Sequence, residues 1–327
     1  MHLACALALC LPVTCAAAAQ APWAGQLPCS MAYVLQADRL SSNRLAALDR
    51  LASSARDAIV IDRVFGGLDD AWSIPEIESL RRARHGRRVF SYFSIGEAED
   101  YRPYWRAAWG FDARGARLPG TPDFVVAPNP DWPGNYKVRY WDRRWQQLVL
   151  DDLDHLLGQE FDGIYLDIVD AFQFFEHDPA SDTWHAMREN PATGRSYRED
   201  MVRWVRRIAR HARQRRDDFM IIPQNGSALL RLPGYLEAID AIAVEDLFTR
   251  GDRVQSHEHT ETVLGDLELA RAAGKPVFAV EYASDEALRA QVRTEAMARG
   301  FVVLFADREL TTLGQAEAPP QCSGESL

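Results

Sequence analysis

The sequence predicts an α/β fold, a (β/α)8 TIM barrel in a single domain with long loops after strands 3 and 4. Three observations predict it. Eight short runs rich in Val, Ile and Phe recur along the chain. Their apolar character is continuous rather than alternating, as expected of strands covered on both faces. Segments with helical periodicity and recognisable start and stop signals separate them, so strand and helix alternate.

The runs fall in order. MAYVLQ (31–36) and AIVIDR (58–63) come first, followed by RVFSYFSIG (88–96). Before the third run, Ser73-Ile-Pro-Glu76 has the pattern of a capping box leading into EIESLRRARHG. Asp142 is placed to cap RRWQQLVLDDLDHLL, which stops at Gly158. GIYLDIVD (163–170) is the fourth run, and a long arginine-rich amphipathic helix is expected over Arg198–Arg215. FMIIPQNG (219–226), AIAVEDLF (241–248) and PVFAVEYA (276–283) follow. Ser284 is placed to cap DEALRAQVRTEAMAR, which stops at Gly300 before FVVLFAD (301–307). A doubly wound open sheet is the alternative, but no Gly-rich phosphate turn follows the first strand.

The ends have other assignments. Residues 3–19 are apolar, too short for a membrane span, and end in small residues, with Ala17 and Ala19 as an A-x-A site. Residues 1–19 therefore read as a secretory signal, although no Lys or Arg precedes the apolar core. The expected location is periplasmic or secreted, with no stable membrane span after cleavage. The barrel is expected over 20–313 and a loose tail over 314–327. Signal removal leaves two cysteines, Cys29 and Cys322, one near each end. In an oxidising compartment they can pair, or stand as free thiols; spacing leaves this open.

The 327 residues carry 47 acids against 37 bases, a net charge of −10. That surplus argues against nucleic acid as a partner and against loose binding to anionic membrane. Lys137 and Lys275 are the only lysines, so nearly every base is arginine, in keeping with a GC-rich genome.

Polar residues gather where the strands end. They are Asp62, Glu97, Asp167 and Asp170, the pair Gln224-Asn225, then Glu245-Asp246, Glu281-Tyr282 and Asp307. A charge at the end of a buried strand is costly unless a polar cavity receives it, and barrel active sites lie at the C-terminal strand ends. Glycoside hydrolysis uses paired carboxylates without a Ser or Cys nucleophile. The loops at 97–161 and 171–197 are rich in aromatic residues suited to stacking on sugar rings. Metal-assisted hydrolysis by the acidic mouth and a non-catalytic carbohydrate-binding barrel are the alternatives. The eight histidines are scattered, with His257 and His259 in a polar connector, so no zinc site or other cofactor is expected.

Five segments resemble a known family: YFSIGEAEDYR (92–102), NPDWPGNYKVRYWD (129–142), FDGIYLDIVDAF (161–172), IIPQNG (221–226) and AIAVEDLF (241–248). They are similar to the endo-α-1,4-polygalactosaminidases, glycoside hydrolase family 114, especially the bacterial and archaeal branch. The resemblance implies a (β/α)8 barrel and a polysaccharide substrate of α-1,4-linked galactosamine, cationic when deacetylated. It implies Asp167 as nucleophile and Glu245 as general acid/base, with retention of configuration. For both, buried ion pairing with arginine is the competing role.

The remaining candidates carry paired readings. Asp62 and Glu97 are subsite ligands or partners of nearby backbone. Asp170 binds a sugar hydroxyl or caps the next helix. Asn225 holds a hydroxyl, orients Glu245, or simply forms a turn. Glu281 and Tyr282 complete the mouth, or pair with a neighbouring arginine and serve packing. Trp132, Tyr140 and Trp141 form a sugar platform or pack their loop onto the barrel.

Overall fold

The computed structural model describes Trp23, residues 27–67, residues 69–318 and Cys322; the expected signal segment lies outside them. Eight parallel strands form the centre. They are β1 (Met31–Val34), β2 (Ala58–Ile61), β3 (Arg88–Ser94), β4 (Gly163–Asp167), β5 (Met220–Pro223), β6 (Ile242–Glu245), β7 (Val277–Glu281) and β8 (Val302–Phe305). The first five are hydrogen-bonded in sequence order, and so are the last three. A parallel bridge between Gln224 and Ala243 joins the two groups. β8 lies against β1, and Leu35 and Gln36 N–H groups donate to the Leu310 carbonyl just past it. The circular order is that of a (β/α)8 barrel.

Strand alternation divides the core into two layers. Met31, Tyr33, Ala58, Val60, Phe90, Tyr92, Tyr165, Met220, Ile222, Ala243, Phe278, Val280, Val302 and Leu304 form one buried cluster, the barrel interior. Their sequence neighbours Val34, Ile59, Ile61, Val89, Ile164, Leu166, Ile221 and Val303 belong to the other, which packs against the helices. Small residues make room for large ones inside. At Gly163 a Cβ would stand 2.3 Å from the Met220 carbonyl oxygen, so only glycine permits that approach. Trp23 closes the end opposite the mouth, its ring 5.9 Å from Phe90 and 6.2 Å from Phe278, with its indole N–H donating to the Asp240 carbonyl.

Among the described residues six helices of nine residues or more cover the barrel: α1 (Arg44–Ser53), α2 (Ile74–Arg82), α3 (Arg143–Leu157), α4 (Tyr197–Arg213), α5 (His257–Ala272) and α6 (Glu286–Met297). The Ser73/Glu76 box starts α2 and Asp142 caps α3, as the sequence indicates. A second box, Ser196/Glu199, starts α4. Three expectations change. Asp285 caps α6, while Ser284 is held by Asp252. His257 and His259 lie in the first turn of α5, behind the Ser256 cap. The eight-fold helix alternation is incomplete: a five-residue 3-10 turn (Ser227–Arg231) follows β5, and after β8 the chain returns as a strand.

That returning strand, Gln315–Glu317, pairs antiparallel with β8, so the expected loose tail is ordered through Glu317. Cys29 and Cys322 form a disulfide, with Cα atoms 5.7 Å apart, tying the two ends together. The loop after β3 folds into an antiparallel sheet of Glu97–Glu99, Asn135–Val138 and Val125–Pro128 before α3 begins. Among the described residues no helix is long and apolar enough to cross a membrane.

Candidate active site

Continuing the inward alternation past the barrel interior places Asp62, Asp167, Gln224, Glu245 and Tyr282 at the mouth. Glu281 and Asp307 fall on the opposite phase. Strand phase, a property of the sequence, thus separates the clustered acids into two groups.

Asp167 is held from two sides. The Tyr92 hydroxyl donates to Oδ2 at 2.8 Å, and the Ile168 N–H donates to Oδ1 at 2.8 Å. Glu245 accepts from the Tyr282 hydroxyl at Oε1 and from the Asn225 amide at Oε2, 3.5 Å away. The Asn225 side-chain oxygen in turn accepts the Glu245 backbone N–H at 3.0 Å. Burial, reinforced by the charge of Glu245, pushes Asp167 up to about 8. Burial also raises Glu245, against the hydrogen bond from Tyr282. Two desolvated carboxylates that feel one another titrate as a pair, so the proton they bind belongs to both.

The backbone at this rim is unusual. Ile168, Asn225 and Asp246 have φ of 56°, 61° and 51°, and each adjoins a mouth residue at the end of β4, β5 or β6. A β-branched residue such as Ile168 is costly in the left-handed region, by about 1–3 kcal/mol. The strained conformation points its N–H at Asp167. Gly96 supports it from the turn after β3: a Cβ there would lie 2.1 Å from the Ile168 carbonyl oxygen.

The other acids are largely neutralised. Asp62 receives both terminal nitrogens of Arg102, at 3.0 and 2.7 Å, and Arg102 also bonds Glu99 at 2.5 Å. Glu97 is fully buried, paired with Lys137 and bonded by Asn129 at 2.9 Å, so it offers nothing to a sugar. Glu281 is fully buried beneath the loop after β6, accepting from Phe248 N, Thr249 N and Thr249 Oγ1. Asp307 braces Thr311 and Thr312. For Glu97 and Glu281 the structural role replaces the subsite role, because a carboxylate with no accessible surface cannot reach ligand. Asp62 is likewise committed to Arg102. Asp170 lies in the turn after β4 and forms no ion pair among the described residues; burial raises it, and the charge of Lys137 opposes.

The aromatic candidates separate. Tyr140 is fully buried and its hydroxyl donates to the Tyr197 carbonyl at 2.7 Å, which corrects its reading as part of a platform. Trp141 is half-buried on Phe175 and Tyr197, beside the wall between α3 and α4. Trp132 is 49% exposed at the tip of the hairpin joining Val125–Pro128 to Asn135–Val138.

Sequence reading missed the tyrosines. Tyr33 packs at a tilt against Tyr165, ring centres 4.9 Å apart, and the charges of Asp167 and Glu245 reach both. The Tyr165 hydroxyl and Gln224 Oε1 are buried without a hydrogen-bond partner among the described residues. Inward phase on β1, β3 and β4 was the available signal. Arg308, which pairs with Asp246 and lies 3.8 Å over the Tyr282 ring, had none.

A (β/α)8 barrel with two coupled, half-buried carboxylates at its C-terminal mouth has the architecture of a glycoside hydrolase. The chain belongs to glycoside-hydrolase family GH114, whose model matches residues 14–325. A protein of Deinococcus radiodurans is 35% identical over 267 residues, 81% of this chain and 78% of that one. The glycoside hydrolase domain of PelA from Pseudomonas aeruginosa superposes with a TM-score of 0.61 at 18% identity, covering 88% of this chain and 98% of the domain. Aspergillus fumigatus Ega3, solved with galactosamine, superposes with a TM-score of 0.56 at 18% identity, over 88% of this chain and 93% of that one. At these identities the two structures speak to the fold.

Proposed function

We propose that this hydrolase is exported and cuts within α-1,4-linked galactosamine-type polysaccharide by a retaining, two-carboxylate mechanism. The observation that carries the reading is the Asp167–Glu245 pair, which has no ion-pair partner among the described residues, whereas Asp62 and Glu97 are ion-paired and Glu281 is sealed under the loop after β6. Glu245 protonates the glycosidic oxygen while Asp167 attacks the anomeric carbon; Glu245 then takes a proton from water, which releases the sugar from Asp167. Once Glu245 holds the shared proton, its push on Asp167 is gone and Asp167 is free to ionise. Asn225 and Tyr282 orient Glu245, and Tyr92 orients Asp167. A deacetylated amino sugar is a cation suited to a site with two unneutralised carboxylates, and galactosamine is the sugar held by Ega3. The unpaired Tyr165 hydroxyl and Gln224 oxygen are further partners for sugar hydroxyls.

The test is release of reducing ends from deacetylated galactosamine polymer by wild type, Asp167→Asn and Glu245→Gln. Loss of about 10³-fold or more in each variant is expected. Undiminished release by both would remove the pair from the mechanism, and polymer binding without turnover by wild type would favour a binding barrel.

A further inference from the structure

Between α3 and α4 the outer wall of the barrel holds a groove of about 400 Å³ lined by six arginines and one carboxylate. The carboxylate, Asp200, is already committed: it accepts from Asn190 at 2.7 Å, Thr193 at 2.6 Å and Arg195 at 2.9 Å. Arg207 is bonded to Gln146. The side chains of Arg143, Arg203, Arg206 and Arg210 have no hydrogen bond or ion pair with another described residue. Four unneutralised guanidinium groups thus converge from two helices, on a chain whose net charge is −10.

Such a groove repels a cationic amino-sugar polymer, so it is not an extension of the mouth. We propose that it binds an acidic polysaccharide, with uronate carboxylates held by the arginine forks and a sugar face against Trp141. Guanidinium groups recognise carboxylates in bidentate fashion. Arg203, Arg206 and Arg210 follow one face of α4 over about 10 Å, longer than a single anion and matched to a chain of them. Trp141, Gln146 and Thr193 add a stacking ring and polar side chains, as a sugar requires. Concavity disfavours a flat lipid surface. A polyphosphate has no sugar face to stack on Trp141.

The experiment is calorimetric titration of the whole protein with polygalacturonate, comparing wild type with Arg203→Glu/Arg210→Glu and with the neutral Arg203→Gln/Arg210→Gln. Both sites are exposed, and a thermal melt checks that the variants fold. Wild type is expected to bind, with affinity falling as salt rises. The glutamate pair is expected to weaken binding about tenfold or more and the glutamine pair less, both leaving hydrolysis of short soluble oligomers unchanged. Dextran, duplex DNA and anionic vesicles serve as controls. Absence of wild-type binding to polygalacturonate, equal affinity in the glutamate pair, or tighter binding to DNA or vesicles would each overturn the proposal. None of these outcomes bears on the Asp167–Glu245 assignment.

Discussion

The Tyr92 hydroxyl stands 2.8 Å from Asp167 Oδ2 and 3.1 Å from Glu99 Oε1, so one phenol links the dyad to the Arg102 cluster behind it. Its hydrogen bond favours the ionised form of Asp167. Tyr92→Phe should therefore raise the Asp167 pKa. A hydrogen bond to a charged group contributes about 1.5–3 kcal/mol, and one pKa unit is about 1.4 kcal/mol. The pH profile of kcat/KM should move up by about one unit, with kcat reduced about tenfold. An unchanged pH profile in the variant would show that Tyr92 only fills space.

The pH–rate profile of the wild type follows from the shared proton. Activity needs one member of the pair protonated and the other ionised. It should fall as pH rises above about 8, where the pair loses its last proton. Burial raises Glu245 too, so the acid limb should lie above the ordinary carboxylate range. Steady-state kinetics from pH 4 to 9.5 on a short substrate would reveal both limbs.

Stability should vary with pH in the opposite sense to that of most acidic proteins. Asp167, raised to about 8, and Glu281, raised to about 7 by burial, bind protons more tightly folded than unfolded. Their stabilisation is full below the unfolded value near 4 and is lost as pH rises through 7 to 8. Glu76, lowered to about 2 by the Arg44 hydrogen bond, acts the other way and weakens the fold as pH drops below about 4.5. The melting temperature should peak near pH 5. Asp167→Asn should raise it at pH 8, by about 2–4 °C per kcal/mol recovered, and leave it nearly unchanged at pH 4. A melt at each pH for both proteins checks this.

Gly96→Ala should damage the site from a distance. The new methyl would meet the Ile168 carbonyl oxygen at 2.1 Å and the Ala171 side chain at 2.6 Å, and neither is a flexible end. The turn that aims the Ile168 N–H at Asp167 must shift. A loss of more than about 2 kcal/mol in stability is expected, with kcat falling more than KM rises. Denaturant unfolding together with kinetics separates the two effects.

The Cys29–Cys322 bridge spans 293 residues of sequence. In the loop-entropy picture so long a closure contributes about 5–6 kcal/mol. Reduction, or Cys29→Ser, should lower the melting temperature by several degrees while activity well below the melt stays the same, because the bridge lies among the termini. Calorimetry with and without reductant measures the difference.

Much of this molecule could be read from the chain alone. The eight apolar runs became the eight barrel strands because burial on both faces leaves a run that periodicity can detect. Ser73, Asp142 and the glycine stops marked helix ends because capping is local chemistry within a few residues. The two carboxylates of the mouth stood out because Tyr-Leu-Asp and Ala-Val-Glu end apolar strands with a charge.

Other features depended on distant partners. Asp62 and Glu97 looked like mouth ligands, yet Arg102 and Lys137 claim them, and no local pattern announces an ion pair. Glu281 was drawn in by its neighbours, although strand alternation already turned it away from the mouth. Tyr140 has the composition of a sugar platform and the burial of a core residue.

The sequence by itself determined which residues could be strands, where helices begin, and that acids cluster at strand ends. Each of those depends on spacing along one chain. Only the tertiary structure decided which acids stay free, since that depends on the cations brought beside them by folding. It also joined Cys29 to Cys322, set Trp23 under the barrel, and left four arginines of α3 and α4 without carboxylate partners. Those outcomes depend on distances between segments far apart in sequence, which composition and periodicity do not contain.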